Sequence, residues 1–137
     1  MKKILIIAVI IALTAISGIA FAEDLVQIPV TKEALVGTWV GEWDRGYNKK
    51  KVRRSGEVEI IFNNTDSFDY ASSEEKFTGK IANISSEKIE LTDGKSRTDS
   101  YKMYKDANGN LVLKGTYSGT SPSEGFKRGE IVVKKKP

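Results

Sequence analysis

The chain has 137 residues, 22 Lys and Arg against 18 Asp and Glu, and neither His nor Cys. Without His there is no common general base, no Ser-His or Cys-His nucleophile pair, and no commonest zinc ligand. Without Cys there is no thiol catalysis, no thiolate-held iron–sulfur cluster and no disulfide. Much of ordinary enzymology is thereby excluded, and the length fits one domain.

Residues 1–22 read as a signal peptide. Lys2 and Lys3 precede an apolar run over residues 4–13, and Ala20-Phe21-Ala22 forms a small-x-small cleavage site. The expected cut lies between Ala22 and Glu23. The apolar stretch approaches the ~20 residues of a membrane-spanning helix. Thr14, Ser17 and Gly18 weaken its second half, however, and Glu23-Asp24 restore charge at once. The expectation is an exported protein, periplasmic or secreted, with no stable membrane insertion after cleavage. The remaining 115 residues carry 20 basic and 18 acidic side chains. That near-balance argues against a nucleic-acid binder. Lacking disulfides, the exported domain has to be held by its core and by sheet closure.

Residues 23–34 form a lead-in, with Thr31-Lys32-Glu33-Ala34 as a short helical turn. Beyond it no window places apolar residues at helical spacing. What recurs is alternation, the period of half-buried strands. Leu35, Trp39 and Trp43 share one face of a first strand over 35–43, with Gly37 and Gly41 between them. A basic loop follows over 47–54. Val58, Ile60 and Phe62 face inward on the next strand, against Glu57 and Glu59 outward. Further short strands are expected over 67–70, 77–81, 88–91, 97–104, 111–117 and 128–134. Asn63-Asn64-Thr65-Asp66, Ser72-Ser73-Glu74-Glu75 and Asp93-Gly94 supply turns between them. Asn108-Gly109 is the strongest turn signal.

No connection holds a crossover helix, so eight antiparallel strands follow one another as a meander. Residues 35–137 are therefore expected to form an all-β domain, an eight-stranded antiparallel up-and-down β-barrel whose closure removes exposed edges. The alternative is a β-sandwich. One internal echo supports closure. Leu35-Val36-Gly37-Thr38-Trp39-Val40-Gly41 and Leu113-Lys114-Gly115-Thr116-Tyr117-Ser118-Gly119 share the pattern Leu-x-Gly-Thr-aromatic-x-Gly. Its glycines are expected to leave room for large rings crossing a narrow interior.

Gly37-Thr38-Trp39, following the helical turn, resembles the calycin superfamily of lipocalins, fatty-acid-binding proteins and avidins. Their first strand carries Gly-x-Trp after such a turn. Gly115-Thr116-Tyr117 is similar to a late strand of avidins. The resemblance implies a lipocalin-like barrel and a packing role for Trp39. It does not extend to a C-terminal helix, which is missing here. Nor does it extend to biotin binding, because the avidin Asn and Ser are replaced by Val40-Gly41-Glu42 and no late Trp is present.

The expected inward apolar set is Trp39, Val58, Ile60, Phe62, Phe68, Phe77, Ile81, Ile89, Leu91, Met103, Leu111, Leu113, Tyr117, Ile131 and Val133. A barrel of this size either fills its interior or holds one small ligand. Arg97 and Asp99 share the face of Tyr101 and Met103. They mark either the polar end of a ligand cavity or a strand end at the rim, where both reach water. Trp43, Arg97, Tyr101, Met103 and Tyr117 are the candidate ligand-binding residues. Lys49, Lys50, Lys51, Arg53 and Arg54 are the candidate partner-binding residues, a cation-rich loop able to attract anionic ligands or acidic partners. Asp106-x-Asn108-x-Asn110 has the spacing of half a calcium loop, but no acidic residue follows where the bidentate ligand belongs. A plain turn accounts for it. The pairs Asp66/Asp69 and Glu74/Glu75 are expected in solvated turns or short strands, and no cleft for carboxylate catalysis is predicted.

The reading is thus a non-catalytic exported binding protein, with no cofactor and no metal, for a small, mostly apolar or anionic ligand. The alternative is a packed, ligand-free barrel that engages a protein or glycan partner, or acts as an inhibitor, through its basic loop.

Overall fold

The computed structural model describes residues 24–47, 53–64, 66–121 and 125–137. The expected signal peptide and Lys49, Lys50 and Lys51 lie outside the described residues. Among the described residues, nine strands and one short helix follow in order: β1 (Val26–Ile28), α1 (Lys32–Leu35), β2 (Gly37–Tyr47), β3 (Arg53–Phe62), β4 (Ser67–Ser72), β5 (Lys76–Ile84), β6 (Ile89–Thr92), β7 (Thr98–Lys105), β8 (Leu111–Ser121) and β9 (Gly125–Lys135). Each strand from β2 to β9 pairs antiparallel with the next, and β9 returns to pair with β2. The result is the expected closed eight-stranded up-and-down barrel. The sandwich is not what forms, because the β2–β9 seam joins what would have been two sheets.

β1 was not expected. It pairs with β7 through Val26↔Lys105, Gln27↔Tyr104 and Ile28↔Met103. β6 leaves this stretch of β7 open, since its own pairing ends at Ile89↔Tyr101. β1 therefore continues the barrel wall where a four-residue strand runs out. Three residues carry no readable alternation, which is why the sequence is silent about them.

The interior is filled by the expected alternating faces. Trp39, Ile60, Phe62, Leu91, Met103, Leu113 and Ile131 are all buried, joined by Leu35, Tyr70 and Tyr101. α1 stoppers one end. Thr31 caps it by accepting from the Ala34 amide, and Leu35 enters the core. Two orphan carbonyls at its C-terminus receive side-chain donors: the Trp39 indole N–H reaches Leu35 O at 2.9 Å, and Lys135 Nζ reaches Ala34 O at 2.6 Å. This hydrogen bond gives Trp39 a second structural duty besides packing.

The glycines of the internal echo do something other than make room for rings. A Cβ on Gly41 would lie 1.9 Å from the Val132 carbonyl oxygen, and one on Gly115 would lie 1.8 Å from that of Ser100. Backbones of neighbouring strands come too close there for any side chain. Room for rings is made across the strands instead. Cβ atoms on Gly56, Gly79 and Gly129 would strike Trp43, Phe68 and Tyr117 respectively.

Candidate functional site

The barrel end opposite α1 holds the chain's polar chemistry. β6 and β7 are joined by a turn in which Asp93 Oδ1 accepts from the amides of Lys95 and Arg97, at 2.7 and 3.0 Å. This turn sends Arg97 inward. Its guanidinium carbon lies 4.3 Å from the ring centre of Tyr70, 4.5 Å from Tyr117 and 4.9 Å from Phe77. Three rings on three strands thus enclose one cation. Arg97 also donates to Asp99 from Nε (2.8 Å) and from a terminal nitrogen (3.1 Å), a bidentate pair. The Tyr101 hydroxyl donates to the same carboxylate at 2.7 Å.

Arg97 is 6% and Asp99 2% exposed, so the rim reading, with both in water, does not hold. A charge at such a position is tolerated because every charged atom has an opposite charge, a hydroxyl or a π face beside it. Burial alone would lower the Arg97 pKa, but the Asp99 carboxylate outweighs it and holds the guanidinium firmly charged. Burial raises the phenols of Tyr70 and Tyr101, and for Tyr101 the Asp99 charge adds to the effect. These tyrosines are neutral donors at ordinary pH.

A second layer covers this cluster. The β4–β5 turn carries Glu74 and Glu75, and each holds two cations. Glu74 pairs with Arg45 and with Arg54 (2.5 Å); Glu75 pairs with Arg97 and Lys127, each at 3.4 Å. Arg45 sits at a β-bulge in β2, where the register shifts between Asp44 and Gly46. The extra residue swings its side chain over the barrel mouth. There its Nε donates to the Tyr117 hydroxyl at 2.9 Å, and its guanidinium lies 4.7 Å from the Trp43 ring. Trp43 is 3% exposed, and its indole N–H has no hydrogen-bond partner among the described residues. The Glu74/Glu75 pair, expected as solvated carboxylates, thus forms the ionic cover of the barrel end. The signal that was missed is long-range: nothing local in the sequence says that 74 and 75 meet 45, 54, 97 and 127.

Of the candidate ligand residues, the structure gathers Trp43, Arg97, Tyr101 and Tyr117 at this end. Met103 is wholly buried elsewhere along β7, paired with Leu113 and Ile28. The candidate partner loop is shorter than the expected 47–54. Tyr47 pairs with Arg53 and Gly46 with Arg54, so Arg53 and Arg54 belong to β3. Asp106 acts as the hub of a turn, accepting from the amides of Asn108 and Asn110, both at 2.9 Å, with Lys134 at 3.3 Å.

Two long hairpins, β2–β3 and β8–β9, continue past this end as arms. β2 and β9 part after Asp44↔Glu130, and a cleft of about 590 Å³ opens between them. Arg45, Tyr117, Phe126 and Arg128 are among its lining residues. Phe126 is 64% exposed. No helix among the described residues is long and apolar enough to cross a membrane. The fold defines a closed eight-stranded antiparallel barrel with two projecting arms. Comparison with family models, curated proteins and solved structures finds no match for the chain.

Proposed function

We propose that this protein is an exported, non-catalytic binding module that engages a protein partner through its arm end. The observation that carries the reading is what fills the barrel. One end is stoppered by α1 and the other by Arg97 locked among three rings and the Asp99 carboxylate, with Glu75 also on Arg97 and Glu74 on Arg45 and Arg54 across the mouth. Recognition then falls to surfaces, and the arms bring together the cleft, the exposed Phe126, Arg45 and Arg128. A second reading is favoured by the cleft itself: its volume and mixed lining suit one small amphipathic anion. Kinship with the calycins is part of the proposal and rests on Gly37-Thr38-Trp39 and the late Gly115-Thr116-Tyr117.

Photo-crosslinking in the host tests the main reading. A crosslinker at Thr120, on an arm, should give a discrete protein adduct. One at Lys32, on the stoppered end, should give none. Reversing charge at Lys50, Lys51 and Arg53 together should abolish the Thr120 adduct. Equal adducts from both ends, or an adduct indifferent to the charge reversal, would refute the reading.

A further inference from the structure

The turn between β7 and β8 holds the chain's one asparagine that precedes a glycine, Asn108-Gly109. Asparagine is thermolabile because the backbone nitrogen of the next residue can attack its side-chain amide carbon. A side chain on that next residue hinders the attack, and glycine has none. Asn108 and Gly109 are both exposed. A Cβ on Gly109 would meet nothing within 4 Å, so the space beside it is open. Among the described residues the Asn108 side chain has no hydrogen-bond partner, whereas that of Asn110 donates to Asp106 at 3.3 Å.

Asp93-Gly94, in the β6–β7 turn, is the contrasting case. An aspartate can undergo the same attack, but Asp93 Oδ1 accepts from the amides of Lys95 and Arg97, and the Gly94 amide donates to Thr92 Oγ1 at 3.0 Å. Both reacting groups are tied there. At Asn108 only the attacking nitrogen is tied, because the Gly109 amide donates to Asp106 O at 3.0 Å. Asp106 is buried, and its Oδ1 holds the amides of Asn108 and Asn110. The Gly109 bond to Asp106 O has to break before Gly109 N can reach the Asn108 side chain. The bonds to Asp106 Oδ1 keep the turn closed against that step.

We propose that Asn108 is a site of spontaneous deamidation whose rate is metered by Asp106. Gly109 N gives its proton to solvent and bonds to Asn108 Cγ. The Cγ–Nδ2 bond breaks, and the leaving nitrogen takes a proton from water to depart as ammonia. Water then opens the five-membered imide at either carbonyl, giving aspartate or isoaspartate. Isoaspartate lengthens the backbone by one carbon, which a turn closed by Gly109 on Asp106 O does not absorb. Aspartate sets a second carboxylate beside Asp106, which already draws on Lys134. Either product loosens the hairpin at the end where β1 pairs with Lys105.

Peptide mapping by mass spectrometry tests this on protein produced from the full chain and aged at mildly alkaline pH. The free peptide of residues 105–111 is aged beside it. The protein should convert at Asn108, at least fivefold more slowly than the peptide, and more than at any other asparagine or at Asp93. Asp106→Ala should speed the conversion at least fivefold, with folding checked by the fluorescence of Trp39 and Trp43. Asp106→Asn keeps an acceptor oxygen and should stay within twofold of the parent. The parent-to-peptide ratio tests the metering even where the alanine variant does not fold. An Asn108 that stays intact in the protein while the peptide converts would overturn the site. Conversion as fast in the parent as in the peptide, or equal acceleration in both Asp106 variants, would overturn the metering by hydrogen bonds.

Discussion

Replacing Arg97 with Met leaves Asp99 buried, with the Tyr101 hydroxyl as its one remaining side-chain donor among the described residues. Removing one member of a buried ion pair costs about 3–5 kcal/mol, because the remaining charge keeps its desolvation penalty. The lost stacking on Tyr70, Phe77 and Tyr117 adds to this, though Met fills part of the volume. With a urea slope near ~1.5 kcal/mol/M, the unfolding midpoint should fall by about 2–3 M. Trp39 and Trp43, both buried, report the transition by fluorescence. Arg97→Met combined with Asp99→Leu removes both charges and should recover most of the loss. A single variant costing less than about 1 kcal/mol, or a double variant as unstable as the single, would refute the argument that the pair is buried and mutually dependent.

Further outcomes follow from particular contacts. Trp39→Phe should cost about 1–2 kcal/mol more than Trp43→Phe, because only Trp39 loses a satisfied buried hydrogen bond, the one to Leu35 O; urea titration of both variants decides it. Gly41→Ala and Gly115→Ala should each cost more than about 3 kcal/mol or prevent folding, since the new Cβ meets a backbone carbonyl. Gly94→Ala, with φ +79 and nothing within 4 Å, should cost about 1–2 kcal/mol. Burial works to raise the Asp106 pKa, but the hydrogen bonds from Asn110 and Asn108 and the Lys134 ammonium prevail and hold it below the usual carboxylate value. Its stabilising contribution is therefore present above pH ~4 and lost as pH falls through the depressed value. Asp106→Ala should flatten the acid limb of the stability–pH curve; an unchanged limb would contradict this.

The barrel was legible because its signals are local. Alternation at Val58-Glu59-Ile60 or Leu111-Val112-Leu113-Lys114 assigns an inward face directly, and Asn108-Gly109 marks a turn. Gly109 adopts φ 85 there. The arms run longer than the alternation indicates, because polar residues such as Arg53, Arg54, Ser118 and Thr120 look like loop. In a hairpin beyond the barrel neither face is buried, and hydrophobic alternation ceases to report strand. β1 was hidden by its three residues, and its role depends on where β6 ends. The polar end was half legible. Arg97, Asp99 and Tyr101 share a face by spacing alone. Their partners Tyr70, Glu75 and Tyr117 come from strands and turns 20 or more residues away, and only the closed barrel brings them together. Arg45 was missed because a bulge, invisible to alternation, decides which way it points.

Native mass spectrometry of the protein isolated from its own host tests most directly whether this barrel is filled and works through its surface. The predicted result is a chain carrying no small molecule, together with a discrete protein adduct that is lost in the Lys50, Lys51 and Arg53 charge-reversal variant. A small-molecule mass that stays with the variant and leaves only on denaturation, with no protein adduct, would contradict the account, because recognition would then fall to a small ligand rather than to a protein partner.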